Sequence, residues 1–142
     1  MQTALSLASG KLGIPMLTAL VVTILIVTCC TPVEDGGTLT VKQVAEMVRK
    51  DTSVILVDVR TPEEYGQGHI KGSRLVNYYE ANFHSQLETL PKDKTVILYC
   101  RSGHRSGEAL KFLVSIGYSR VFNMIGGIIA WRKEKLPLIG PS

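Results

Sequence analysis

The sequence has few of the residues on which several common functions depend. It contains three cysteines among 142 residues, and only Cys100 lies beyond the first thirty positions. A single cysteine cannot form a disulfide within the later part of the chain. The formal net charge is only +4, and no basic run is interleaved with aromatic residues. We therefore expect no nucleic-acid partner.

Charge is absent from one long apolar segment near the start of the chain. No charged residue lies from Leu12 to Cys30, and this length is enough to cross a bilayer as an α-helix. An amphipathic core helix would need a polar face, which this segment lacks. A cleaved signal peptide and a retained membrane anchor both fit. The ending at Cys29 and Cys30 also resembles the lipobox of bacterial lipoproteins, so a lipidated terminus is a third alternative.

The charges around the apolar segment predict its orientation. Lys11 and the free amine precede it, whereas Glu34 and Asp35 follow it. The positive-inside rule then places the N-terminus in the cytoplasm and exports the rest, to the periplasm or the outer face of a bacterial membrane. We predict a signal or anchor over residues 1–30, a short linker over 31–37 and a domain over 38–139, which the first segment associates with a membrane.

The domain alternates β-like and helical segments. Val54–Val59 and Thr95–Tyr99 are almost continuously apolar and β-branched, which is typical of strands covered on both faces. Shorter strands are predicted at 38–40, 74–77 and 121–123, and helices at 41–50, 61–66, 80–90, 108–116 and after Gly127. Strands separated by helices indicate βαβ units. The predicted class is α/β, with an open, mostly parallel sheet.

Cys100 directly follows the second buried strand pattern, where ligands gather in open α/β sheets. Arg101, Gly103 and Arg105 then lead into a helix. A tight glycine-containing loop can turn backbone N–H groups inward, and the helix dipole and the two arginines add positive charge. All of these favour a thiolate over a thiol, so Cys100 is the candidate nucleophile.

Two simpler interpretations of Cys100 are less consistent with its neighbours. A buried structural cysteine does not call for two arginines, a histidine and two serines beside it. A metal site would have only Cys100 and His104 as ligands, and the flanking arginines would repel a cation. We therefore expect no metal.

Three segments of the domain resemble the signature motifs of the rhodanese family, and they occur in the same order along the chain. The first runs from Asp58 to Tyr65 and continues through Gly68–Ser73, and it is similar to the family's D-V-R…E-Y…G-H-I-x-G-S signature. The second is the loop Cys100–Ser106. The third, Gly117–Trp131, is similar to the closing G-Y…V…G-G-x-x-x-W pattern, with Ile125 where leucine is usual.

The resemblance implies a five-stranded parallel sheet flanked by helices on both faces. It also implies that Cys100 takes a sulfane sulfur from thiosulfate or a related anion and passes it to cyanide, a thiol or a protein. No cofactor is implied. The expected substrate-binding residues form the loop and one flanking position: Arg101, Ser102, Gly103, His104, Arg105, Ser106 and Arg60.

Within that set the predicted roles differ. Arg105, and Arg101 from the rim, are expected to hold the oxyanion end of the donor. Asp58 is expected to be structural, orienting the loop or an arginine. Arg60 either reaches the site or pairs with Glu63 or Glu64. Outside that set, His69 and Trp131 are interpreted as structural and His84 as a surface residue.

Other functions use the same features. The nearest enzymatic alternative is a cysteine phosphatase or an arsenate reductase. Cysteine phosphatases generally place five residues between cysteine and arginine, whereas four separate Cys100 from Arg105, which favours sulfur chemistry. A persulfide carrier or a redox-sensing module also remains open. Cys100 has no second cysteine in its domain, so an external acceptor must remove its sulfur.

Overall fold

The computed structural model describes residues 36–140, which build one sheet from five short strands. All pairs of neighbouring strands are parallel, and their spatial order is β1-β5-β4-β2-β3. The strands are β1 (Gly37–Leu39), β2 (Ile55–Asp58), β3 (Arg74–Leu75), β4 (Val96–Tyr99) and β5 (Val121–Met124). The predicted α/β class and five-stranded parallel sheet are therefore confirmed.

Five helices cover the two faces of the sheet. They are α1 (Val41–Lys50), α2 (Pro62–Gly66), α3 (Phe83–Glu88), α4 (His104–Ser115) and α5 (Gly127–Lys133). Phe83 of α3 and Leu113 of α4 belong to one buried apolar cluster. Val44 of α1 and Trp131 of α5 belong to the other. The prediction of helices on both faces is thus confirmed.

Strand β4 is the central strand of the sheet, and its carboxyl end leads directly to Cys100. Its four residues are all buried, and they alternate between the two clusters, with Val96 and Leu98 on one side and Ile97 and Tyr99 on the other. This period-two pattern is what a strand covered on both faces requires. Cys100 comes next in the chain, at the carboxyl end of the strand.

Capping boxes start two of the helices, at Thr40 and Thr61, which the sequence pattern predicts as helix caps. The Thr40 side chain accepts from the Gln43 backbone N–H, and the Gln43 side chain accepts from the Thr40 N–H. Thr61 and Glu64 form the same reciprocal pair at α2, with Pro62 in the first helical position. Each box satisfies two N–H groups that the first turn leaves without partners.

Helix α4 begins earlier than the sequence pattern predicts. It starts at His104 rather than Glu108, because Gly103 adopts a left-handed φ of 102° and its carbonyl already accepts from the Gly107 N–H at 3.0 Å. The apolar pattern also predicts that Leu110, Leu113 and Val114 face inward, and for Val114 this is wrong. Val114 is 40% exposed, whereas Ser106 and Ala109 are buried. The polar run after Cys100 is therefore partly helical.

Helix α3 is shorter than predicted, ending at Glu88 before Pro91. Within residues 36–140, no helix combines the length and apolar character needed to span a bilayer. The predicted membrane segment Leu12–Cys30 and most of the predicted linker lie outside the described residues.

Candidate active site

Cys100 lies at the floor of an open cavity of about 410 Å³. Cys100 is only 1% exposed, because it packs against the core just beyond the end of β4. The cavity wall includes most of the predicted loop together with two residues from elsewhere in the chain. The lining residues are Glu64, Tyr79, Cys100, Arg101, Ser102, His104 and Arg105.

Hydrogen-bond donors converge on the sulfur of Cys100. The Gly103 N–H donates to Sγ at 3.1 Å, and the Ser106 Oγ lies 3.4 Å from it. Burial alone would raise the pKa of the Cys100 thiol. The Ser106 hydroxyl and the N–H groups of Ser106, Gly103 and Ser102 more than offset this and lower that pKa below its usual value. The site therefore favours the thiolate, which is the nucleophilic form.

Asn123 of β5 holds this donor set in place. Its side-chain amide donates to the Gly103 carbonyl at 3.0 Å, and its Oδ1 accepts from the buried Ser106 hydroxyl at 2.7 Å. The hydroxyl has one proton, so it donates either to Asn123 or to Sγ. Sequence reasoning did not single out Asn123. The available signal was a polar residue within an otherwise apolar strand.

The first turn of α5 packs closely against the Cys100 loop. The Ile128 N–H donates to the Cys100 carbonyl at 2.9 Å, and the Ile129 N–H donates to the Arg101 carbonyl at 3.2 Å. Gly127 has a φ of 54°, and a Cβ there would lie 2.6 Å from the Arg101 carbonyl carbon. Only glycine fits this approach, which fixes the loop to the sheet.

Arg105 is paired with Glu64 at the rim of the cavity. Its Nη1 and Nη2 each donate to a different Glu64 carboxylate oxygen at 2.8 Å. The hydrogen-bonded arginine lowers the pKa of Glu64, and the carboxylate raises that of Arg105. From the sequence, Glu64 is a candidate partner of Arg60 and not of Arg105, because its contact with Arg105 spans 41 residues.

The remaining loop residues face the cavity more openly. Arg101, Ser102 and His104 are exposed members of its wall. Within residues 36–140, the Arg101 guanidinium has no hydrogen-bond partner or ion-pair partner. Arg101 is therefore a cation at the rim whose donors face solvent.

Asp58 and Arg60 form a separate buried pair. The Arg60 Nε donates to Asp58 Oδ1 at 2.8 Å and its Nη2 donates to the Gly68 carbonyl at 2.8 Å, with the Arg60 side chain only 3% exposed. Of the two structural roles expected for Asp58, orienting the loop or orienting an arginine, the structure shows the second. The alternative pairing of Arg60 with Glu63 or Glu64 is not what the structure has. Arg60 does not line the Cys100 cavity but a neighbouring one.

His69, His84 and Trp131 do not belong to the wall of the Cys100 cavity. His69 stacks on Tyr65 with ring centroids 3.7 Å apart, and its backbone pairs with Ile139. His84 is exposed, and Trp131 is 4% exposed in the core. Across residues 36–140, no three His, Cys, Asp or Glu side chains form a group able to hold a metal ion.

Comparison with known proteins gives consistent matches. Residues 40–134 match the family described as the rhodanese-like domain. A sulfurtransferase of Allochromatium vinosum is 43% identical over 63% of this chain and 81% of its own. The thiosulfate sulfurtransferase GlpE of Stutzerimonas stutzeri is 34% identical over 58% of this chain and 74% of its own.

The fold has solved counterparts as well. A rhodanese-related protein from Thermoplasma volcanium superposes with a TM-score of 0.64 at 25% identity, covering 72% of this chain and 96% of the other.

Proposed function

Since the chain belongs to the rhodanese-like domain family, we propose that it moves a sulfane sulfur from thiosulfate or a related anion to a thiophilic acceptor through a persulfide on Cys100. Its sulfurtransferase relatives support sulfurtransferase activity in general. The observation that carries the finer proposal is the set of donors converging on the Cys100 sulfur at the floor of an open cavity.

The first half-reaction forms the persulfide. The Cys100 thiolate attacks the outer sulfur of thiosulfate, a new S–S bond forms, and the S–S bond of the donor breaks with its electron pair leaving on sulfite. The Gly103 N–H and the Ser106 hydroxyl hold the thiolate before attack. The same donors stabilise a persulfide anion, so they serve both states of the cysteine.

Arginines at the rim would bind the oxygens of the donor. Arg101 lines the cavity, and within residues 36–140 its guanidinium has no hydrogen-bond or ion-pair partner. Arg105 gives two N–H groups to Glu64, and a guanidinium has five in total, so Glu64 leaves three of them unused. When the arginines hold the oxygens of thiosulfate at the rim, its outer sulfur points toward Cys100.

In the second half-reaction an acceptor removes the sulfur. Cyanide attacks the outer persulfide sulfur, thiocyanate leaves, and Cys100 returns to a thiolate. No second cysteine in residues 36–140 competes as a resolving thiol. Sulfur transfer thus depends on the acceptor that reaches the cavity.

The direct test is the steady-state formation of thiocyanate by the purified full-length chain supplied with thiosulfate and cyanide. We expect turnover by the unaltered protein and none above background by Cys100→Ser. Unchanged turnover in Cys100→Ser would contradict the proposal, because the nucleophile would then be another group.

We also propose that the segment over residues 1–30 exports the domain, as a cleaved signal peptide, a membrane anchor or a lipoprotein signal, the last two of which hold the domain at a membrane. The charge-free run Leu12–Cys30 supports this. The mass of the mature protein from membranes distinguishes an intact, a cleaved and a lipidated chain. Recovery of the intact chain from the cytoplasm alone would contradict export.

A further inference from the structure

A second cavity adjoins the one that holds Cys100. It measures about 250 Å³, and Glu64 and Arg101 belong to the walls of both cavities. We call it the side cavity. Its other lining residues come from the turn after β2, the end of α2 and helix α5: Arg60, Gln67, Ile128, Ile129 and Arg132.

The side cavity has more positive than negative charges in its wall. The charge of Arg60 is compensated by Asp58, and that of Glu64 by Arg105. Within residues 36–140, neither Arg101 nor Arg132 forms an ion pair. The Arg132 guanidinium donates only to the neutral Gln67 carbonyl, at 3.3 Å. Two uncompensated positive charges therefore face the side cavity, which suits an anionic group.

One wall of the side cavity is apolar and fixed relative to Cys100. Ile128 and Ile129 form it, and their N–H groups donate to the carbonyls of Cys100 and Arg101. Ile129 is 51% exposed, so its side chain offers apolar surface to a ligand. A ligand in the side cavity therefore lies against the aliphatic surface of Ile129. Arg101, which lines both cavities, separates this ligand from Cys100.

We propose that the side cavity binds the carboxylate of small organic thiols that accept sulfur from the Cys100 persulfide. This rests on the proposed function and names the class of acceptor for the same site. Arg101 and Arg132 pair with the carboxylate, the half-exposed Ile129 contacts the carbon chain, and the thiol reaches the Cys100 cavity. Thiosulfate and cyanide have no carbon chain to use this wall.

The transfer step needs no further reactant. The acceptor thiolate attacks the outer sulfur of Cys100–S–SH and forms an S–S bond to it. The bond between that sulfur and Cys100 Sγ breaks, and its electron pair leaves on the cysteine as a thiolate. The acceptor departs as a persulfide, so charge and electrons balance.

The test compares two acceptors with the same number of carbon atoms, mercaptopropionate and mercaptopropanol, using thiosulfate as donor and the full-length chain. Because the two thiols differ in intrinsic reactivity, the measured quantity is the ratio of their kcat/KM values in each variant. We expect Arg132→Gln to lower the ratio of acid to alcohol about tenfold, since a charge-assisted contact is lost. Lys133→Gln is the control, because it removes the same charge one residue outside the cavity wall.

Equal ratios in Arg132→Gln and the unaltered protein would overturn the proposal, as would an equal fall in Lys133→Gln, which would indicate a general effect of charge. Turnover with cyanide but with neither thiol would overturn it while leaving the proposed function intact. Absence of turnover with cyanide as well would instead contradict the proposed function. Partial recovery of the ratio in Arg132→Lys would support a charge contact.

Discussion

Both terminal nitrogens of Arg105 donate to the two carboxylate oxygens of Glu64, at 2.8 Å each. The pair joins the first turn of α4 to α2 across the mouth of the Cys100 cavity. It fixes the arginine in position and compensates its charge. We therefore expect binding of the proposed anionic donor to depend on a carboxylate outside the cysteine loop.

Replacing Glu64 by glutamine should strengthen binding of a dianionic donor. The amide keeps the size of the side chain but leaves the Arg105 charge uncompensated, so we expect the KM for thiosulfate to fall about threefold. The measurement is thiocyanate formation at varied thiosulfate and fixed low salt. Glu63→Gln is the matched control, because Glu63 is exposed and makes no contact with Arg105. A KM that rises in Glu64→Gln would show that positioning of Arg105 matters more than its charge.

Replacing Ser106 by alanine should shift the pH dependence of persulfide formation. Burial raises the pKa of the Cys100 thiol. Hydrogen bonds to the sulfur, that from the Ser106 side chain first among them, lower this pKa below its usual value. The rate rises with pH as the thiolate forms, so loss of the hydroxyl moves the midpoint to higher pH. Below the midpoint we expect a rate about threefold lower.

Single-turnover reaction with thiosulfate at varied pH measures this shift. Ser115→Ala is the control, since Ser115 is an exposed serine on the same helix that bonds only to the Phe112 carbonyl. A midpoint that stays in place in Ser106→Ala would mean that the backbone N–H groups alone set the pKa of Cys100.

Gly127→Ala should destabilise the domain. The left-handed φ of 54° and the Arg101 carbonyl beside the new Cβ oppose any side chain there, and we expect a loss of about 2–4 kcal/mol in the free energy of unfolding. Gly66→Ala is the comparison, because no atom lies within 4 Å of its Cβ position. Urea unfolding followed by circular dichroism measures both, and similar midpoints would contradict the close approach of α5 to the loop.

Asp58→Asn should also destabilise the domain, through the arginine that it leaves behind. Arg60 is buried, and its guanidinium would lose its charged partner. Breaking a buried pair in this way costs about 3–5 kcal/mol. The exposed pair of Glu108 and Lys111 gives the control, and Glu108→Gln should change the free energy of unfolding by less than about 0.5 kcal/mol. Equal losses from both variants would contradict the buried role of Asp58.

Local features of the fold could be predicted because neighbouring residues determine them. The Thr40 and Thr61 caps and the buried strand before Cys100 each follow from a few adjacent residues. The sequence pattern places the start of α4 too late, because it does not show the left-handed φ of Gly103 that begins the helix. Gly103 lies against the end of β5 and the turn that follows it, which are distant in the sequence.

The partners within the site could not be predicted for a related reason. Asn123 contacts Ser106 across 17 residues, and Glu64 contacts Arg105 across 41. Such contacts exist only once the strands have been ordered as β5-β4-β2. The loop itself was visible in the sequence, whereas the residues that tune its charge and hydrogen bonding were not.

The central claim, that Cys100 carries the transferred sulfur, is tested most directly by mass spectrometry of the full-length protein after treatment with thiosulfate. We predict a gain of one sulfur atom, located on the peptide that contains Cys100, absent in Cys100→Ser and lost when cyanide is added. An unchanged mass with thiosulfate while thiocyanate still forms, or the added sulfur on a peptide without Cys100, would contradict the account.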